Sequence, residues 1–185
     1  GFKSFAEKTN FLIENGLTGI VGPNGCGKSN IVESLRWVMG ETSAKSMRGS
    51  GMEDVIFSGT SNKPSKNIAE VVLSLNNENK DGPHQYNDLD EIEIRRKIEK
   101  DKGSKFYINN KEVRAKDAQM FFADLSTGAH SPSLISQGRI GTLVTAKPSD
   151  RRAILEEAAG IAGLHVRRHE AEIRLGAAEN NLKRA

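Results

Sequence analysis

Across residues 69–75 apolar and polar side chains alternate, and the alternation returns as Ile92, Ile94, Arg96 and Ile98 within residues 91–100. A period of two puts successive side chains on opposite faces, so each stretch is predicted as a strand with one face covered. Residues 105–108 and 112–113, separated by Asn109-Asn110-Lys111, predict a hairpin closed on asparagine. Elsewhere the period lengthens. Residues 30–39 carry Ile31, Leu35 and Val38 on one helical face and run up to Gly40; residues 115–123, with Ala118, Met120, Phe121 and Phe122, predict a second, short helix. Residues 17–21 (Leu17 to Val21) form a compact apolar run and predict a short buried strand, residues 55–57 another, and residues 134–136 a third that ends at Gln137-Gly138-Arg139. Phe2, Phe5, Phe11, Leu12 and Ile13 suggest strand pieces ahead of Gly16. The polar, turn-rich residues 58–67, 76–90 and 128–132 read as loops.

Lys147-Pro148-Ser149-Asp150 opens a last, long helix, with Ser149 in the capping position. From Ile161 onward, Leu164, Arg168, Ala171, Leu175, Ala178 and Leu182 follow alternating steps of three and four. That is a heptad seam with one polar break at Arg168, flanked by Arg167, Glu170, Arg174 and Glu179. A coiled coil and an amphipathic surface helix both fit the pattern. The fold class expected from these elements is α/β, with an antiparallel β layer attached to a core over residues 1–148 and a long helix over residues 149–185.

One stretch changes the picture from architecture to chemistry. Gly22-Pro23-Asn24-Gly25-Cys26-Gly27-Lys28-Ser29 fits the phosphate-loop pattern G-x-x-x-x-G-K-[ST], between a predicted strand and a predicted helix. Glycines let the backbone curl around an oxyanion so that successive N–H groups point inward. The helix N-terminus behind the loop adds partial positive charge. Lys28 is placed to reach the β- and γ-phosphates, and the Ser29 hydroxyl to ligate Mg²⁺. A chance glycine turn ending in Lys-Ser would lack the strand and helix on either side.

Composition adds limits. The 185 residues suffice for a domain with its own core, and 36% of them are hydrophobic. A net charge of +3, from 27 basic and 24 acidic residues, permits nucleic-acid binding without arguing for it. The single cysteine, Cys26, forbids an internal disulfide and suits a reducing cytoplasm; it reads as a small filler of the loop, or as a thiol beside the nucleotide. No apolar run approaches the roughly 18 residues of a membrane span, so no membrane is expected. Gly1 in place of Met, and a helical pattern still running at the last residue, create the expectation of a chain cut at both ends. The segment from Glu41 to Gly51 is rich in small residues and carries Lys45 and Arg48. It is either a solvated connection or a loop offering cations to phosphate.

Taken together these residues resemble the N-terminal ATPase half of the bacterial SMC proteins, the structural-maintenance-of-chromosomes family. The resemblance lies in Gly1-Phe2-Lys3-Ser4-Phe5, residues 20–37 with the loop and Asn30, residues 43–57, 135–140 and 146–161, including Arg151-Arg152-Ala153-Ile154-Leu155-Glu156-Glu157-Ala158-Ala159-Gly160. Cys26 stands where the family often has serine. The resemblance implies a P-loop NTPase head of ATP-binding-cassette type that binds ATP with Mg²⁺ through Gly22, Pro23, Asn24, Gly25, Cys26, Gly27, Lys28, Ser29 and Asn30. It implies that Gln137 joins Ser29 at the metal and the γ-phosphate; without it, Gln137 is a polar residue at a strand end. It implies that Arg48 acts at the nucleotide and links hydrolysis to DNA, and that residues 149–185 begin a coiled coil.

The expected partners are DNA, the C-terminal half of the same head, a second copy through head and hinge, and kleisin-type accessory subunits, in a cytoplasmic, nucleoid-associated setting. An acidic Mg²⁺- and water-activating strand and a Ser-Gly-rich signature are missing, because in the family both follow the coiled coil. ATPase activity is therefore expected of the full-length dimer, with Lys28, Gln137 and Arg48 taking part, while the chain alone is expected to bind nucleotide and scarcely turn it over. Three other readings stand beside this one: a DNA-repair ATPase of the same superfamily, a transporter-type nucleotide-binding domain, and a scaffold with a vestigial loop. The match around Arg48 and Gly160 opposes the first. The heptad helix opposes the second, and intact Lys28 and Ser29 oppose the third.

Overall fold

A computed structural model describes residues 1–80, 82–125, 127–129, 131, 133–136, 139–159, 168, 171–173, 175–179 and 182. Its centre is a four-stranded antiparallel meander, β1 (Ile68–Asn76), β2 (Glu91–Glu99), β3 (Gly103–Ile108) and β4 (Lys111–Val113), in the order β1-β2-β3-β4. The predicted alternation is realised. Ile92, Ile94, Arg96 and Ile98 are buried, while the residues between them are only half-covered. Asn109 and Asn110 connect β3 to β4 with φ of 48° and 65°, the paired left-handed conformation of a type I′ turn. The Asn109 side chain also accepts from the Glu93 N–H at 2.8 Å, which ties the turn to β2.

Helix α1 (Lys28–Val38) and helix α2 (Ala115–Asp124) cover one face of this sheet. Trp37 of α1 packs with Phe2, Met47, Val55, Ile56, Ala69 and Ile98. Val38 and Met39 pack instead with Ile92, Ile94, Ile108, Phe121 and Phe122. The buried face of α1 is thus Glu33, Trp37 and Val38; Ile31 and Leu35, expected on that face, are half-buried. The helix ends as its sequence predicts. Gly40, at φ 104°, lets its own N–H reach the Trp37 carbonyl and the Glu41 N–H reach that of Arg36, both at 3.1 Å. A Cβ on Gly40 would also lie 2.5 Å from Gln119 Cγ.

Several expectations fail, for one recurring reason. Residues 17–21 form no strand, and Leu17 and Val21 are 96% and 93% exposed. A strand exists only through a neighbour that completes its backbone ladder, and no described residue supplies one. Residues 55–57 likewise make no strand. Met52–Val55 is a 3-10 turn, and Ile56 forms only an isolated bridge to Phe2. Phe2 in turn bridges Phe5, the one trace of strand before Gly16. Residues 134–136 are irregular, and a short helix α3 (Arg139–Val144) follows that no pattern announced.

Helix α4 (Pro148–Ala158) begins two residues earlier than a Ser149 cap allows; Pro148 takes the first position, where its missing N–H costs nothing. Among the heptad residues, Arg168, Ala171, Leu175, Ala178 and Leu182 are helical, and Arg168 pairs with Glu172 at 2.9 Å. Leu175 and Leu182 are exposed, so the seam faces no described residue. Leu164, Arg167, Glu170 and Arg174 lie outside the described residues.

A phosphate-loop cradle closed by Arg48

The loop Gly22–Ser29 turns into α1 through left-handed glycines, Gly25 at φ 82° and Gly27 at φ 93°. Gly27 has a second reason to be glycine, since a Cβ there would sit 2.9 Å from the Ser4 hydroxyl. Gly22 is crowded in the same way: a Cβ would meet Cys26 Sγ at 3.0 Å. Lys28 folds back across the loop, and its Nζ donates to the Gly22 and Pro23 carbonyls at 2.6 Å each. An ammonium has three protons, and the third makes only a long contact to Cys26 Sγ at 3.9 Å, which a ligand oxygen can replace.

Asn24, Gly25, Gly27, Lys28, Ser29, Asn30 and Arg48 line a cavity of about 220 Å³. The donor set is an ammonium, a hydroxyl, an amide, a guanidinium and backbone N–H groups at a helix N-terminus. Among the described residues no carboxylate lines it. That chemistry fits a polyphosphate, and the glycines leave the room that a Cβ would fill.

Of the two cations in the following segment, the structure brings only Arg48 to the cradle; Lys45 is exposed and does not line it. Arg48 stands in the left-handed region, φ 55° and ψ 36°, just after the 3-10 turn Lys45–Met47. Its NH2 donates to Asn30 Oδ1 at 2.9 Å, and its Nε pairs with Glu33 Oε1 at 2.5 Å. Asn30 also donates to the Ser4 hydroxyl at 2.8 Å, and the Lys3 ammonium pairs with the other oxygen of Glu33. Gly22, Pro23 and Cys26 belong to the loop without lining the cavity. Gln137 lies outside the described residues; beside it, Ser136 accepts from Arg36 of α1 at 3.2 Å.

Lys3, Ser4 and Glu33 join the site only in the folded chain: the periodicity of residues 30–39 puts Ile31, Leu35 and Val38 on the covered face of α1, so nothing local marks Glu33 as a buried carboxylate in need of cations.

Comparison with known proteins agrees with this geometry. The model of the RecF/RecN/SMC N-terminal domain matches residues 1–138. The chain belongs to that family. The chromosome partition protein Smc of Rhodopseudomonas palustris is 60% identical over 184 residues, which is all of this chain and 16% of that protein. The protein of the same name from Bacillus subtilis is 43% identical, over 15% of its length. The chain therefore spans about a sixth of the curated relatives it matches.

Among solved structures, an Smc head bound to the C-winged helix domain of ScpA is 34% identical with a TM-score of 0.79, over 88% of this chain and 49% of that one. A Pyrococcus yayanosii Smc head with a coiled coil and joint is 34% identical with a TM-score of 0.73, over all of this chain and 35% of that one. The fold is that of the SMC ATPase head, with the antiparallel layer expected for it. No described helix is long and apolar enough to cross a membrane.

Proposed function

We propose that this chain is the ATP-binding part of an SMC-type ATPase that organises or partitions chromosomal DNA. The observation that carries the reading is the cradle in which Lys28, Ser29, Asn30 and Arg48 converge on the mouth of a glycine loop. Asn24, Gly25 and Gly27, which line the cavity, supply backbone donors to the phosphates, while Gly22, Cys26 and Pro23, which has no N–H to give, shape the loop around them. Lys28 neutralises their charge, and Ser29 with Gln137 holds Mg²⁺, which withdraws charge from the phosphates when bound. Arg48 adds a planar set of donors at the same place and connects turnover to DNA.

Residues 1–148 form the nucleotide-binding half of the head, and residues 149–185 begin a coiled coil. The relatives' size and the Smc head bound to ScpA support the remaining partners: a C-terminal head half, a second copy, and a kleisin-type subunit, in the cytoplasm on the nucleoid. The DNA-repair and transporter readings have no observation in their favour.

The chain on its own should bind ATP with Mg²⁺ and turn it over negligibly, because among the described residues no carboxylate lines the cradle to orient an attacking water. Lys28→Ala should abolish binding, as read by calorimetry. Steady hydrolysis by this chain that disappears in Lys28→Ala would reveal a missed catalytic group. In the full-length protein, Arg48→Ala should lower the DNA-stimulated rate more than the basal one; equal stimulation before and after the change returns Arg48 to a solvated loop.

A further inference from the structure

Glu33 is a buried carboxylate that nucleotide binding, as proposed above, does not use. It sits on the covered side of α1, 6% exposed, within a turn of Lys28 and Ser29. A buried charge is tolerated only when opposite charge and hydrogen bonds surround it. Here two cations do so from different parts of the chain. Lys3 holds Oε2 and also donates to the Met47 carbonyl, the residue before Arg48; the Arg48 Nε holds Oε1.

Asn30 lies three residues earlier, on the same helical face, and takes the Arg48 NH2. The guanidinium is thus gripped along its Nε–NH2 edge by α1. A guanidinium has five donors in a fixed plane, so a grip on this edge turns NH1 outward, beside the cavity that Arg48 lines. Arg48 itself is 58% exposed and sits on a strained left-handed residue, so its own backbone and surroundings do little to fix it.

We propose that Glu33 is the positioning residue for Arg48. Anchored by Lys3, it holds the guanidinium at the cradle so that the NH1 face meets nucleotide phosphate. Glu33 touches no ligand and acts only through Arg48. The proposal rests on the reading that phosphate occupies the cradle and meets Arg48.

The test is a double-mutant cycle on Mg·ATP affinity in the full-length protein. Arg48→Ala should weaken binding about tenfold, the loss of one charge-assisted hydrogen bond. Glu33→Gln should weaken it by a similar factor, and the double variant no more than either single one, because both remove the same contact. Glu33→Asp, which keeps the charge on a shorter side chain, should recover part of the affinity. A merely structural role predicts losses that multiply in the double variant and no rescue by Asp; either result overturns the proposal.

If Arg48→Ala weakens binding and Glu33→Gln does not, the positioning role alone is lost. If Arg48→Ala itself leaves affinity unchanged, the Arg48 reading falls and takes the proposal with it. Should Glu33→Gln not fold, the same cycle is run with Glu33→Asp, and multiplying losses are again decisive against it.

Discussion

Arg96 shows how far a single side chain can depart from its usual place. It occupies an inward position of β2 and is 3% exposed. Its guanidinium lies 4.5 Å from the ring centres of both Trp37 and Phe106, between the two apolar clusters. NH1 donates to the carbonyls of Trp37 and Glu41 at 2.7 and 2.6 Å, and Nε donates to Ser104 Oγ at 2.8 Å. Those carbonyls lie at and just beyond the C-terminal end of α1, the first of them also taking the Gly40 N–H, so the cation complements the helix dipole.

Burial pushes the Arg96 guanidinium down to about 10, against a pull upward from Glu41. It therefore stays charged at neutral pH. Because the folded value lies below the unfolded one, the cost of burying the charge is present below about pH 10 and is relieved as pH rises above it. Arg96→Ala should destabilise the fold by about 3 kcal/mol or more, through a cavity and the loss of the bonds to the Trp37 and Glu41 carbonyls. Arg96→Lys, which keeps charge but neither fork nor ring stacking, should fall between. Thermal unfolding of both variants checks this; a Lys variant as stable as the original would remove the argument from geometry.

At the scale of elements, the segment carrying Arg48 is held from its far side by Asp54. One carboxylate oxygen, Oδ2, accepts from the N–H of Ser50 at 2.6 Å, the N–H of Gly51 at 2.9 Å and the Ser50 hydroxyl at 2.9 Å. These bonds, led by that from the Gly51 backbone, hold the Asp54 carboxyl below its ordinary value of 3.8. A depressed carboxyl stabilises the fold above that ordinary value and loses its contribution as pH falls through the folded one. Unfolding followed between about pH 5 and pH 2 should show a loss of stability that is smaller in Asp54→Asn. Identical pH slopes would mean that the turn does not depend on the charge.

This device was not legible in the sequence, because Asp54 looks like any acid in a polar loop. The strands β1 to β3 were legible because a period of two survives wherever one face is covered by the same chain. The Schellman end at Gly40 was legible too, since glycine alone carries that conformation cheaply.

At the scale of the molecule, the residues before the phosphate loop carry apolar side chains that no described residue covers. Leu12, Leu17 and Val21 are 83%, 96% and 93% exposed, on the approach to the phosphate loop. An exposed row of this kind, with free backbone groups, recruits a partner strand or aggregates. The chain alone should therefore associate at high concentration, and co-expression with the rest of an SMC head should raise its soluble yield. A stable monomer at high concentration, unaffected by that partner, would contradict the expectation.

The same region marks the division between what sequence and structure decide. Local geometry is written in the residues themselves. The glycine loop with Lys28 and Ser29, the asparagine turn and the alternating strands need only neighbours within a few positions, so the sequence by itself determined them and the phosphate chemistry they support. Whether residues 17–21 become a strand depends on a partner far away, and a sequence pattern cannot report that the partner is missing from the described residues. The meeting of Lys3, Ser4, Asn30, Glu33 and Arg48 is of the same kind. Its members come from the chain start, from α1 and from the segment that follows it, and only packing of Phe2 and Met47 around Trp37 brings them within bonding distance.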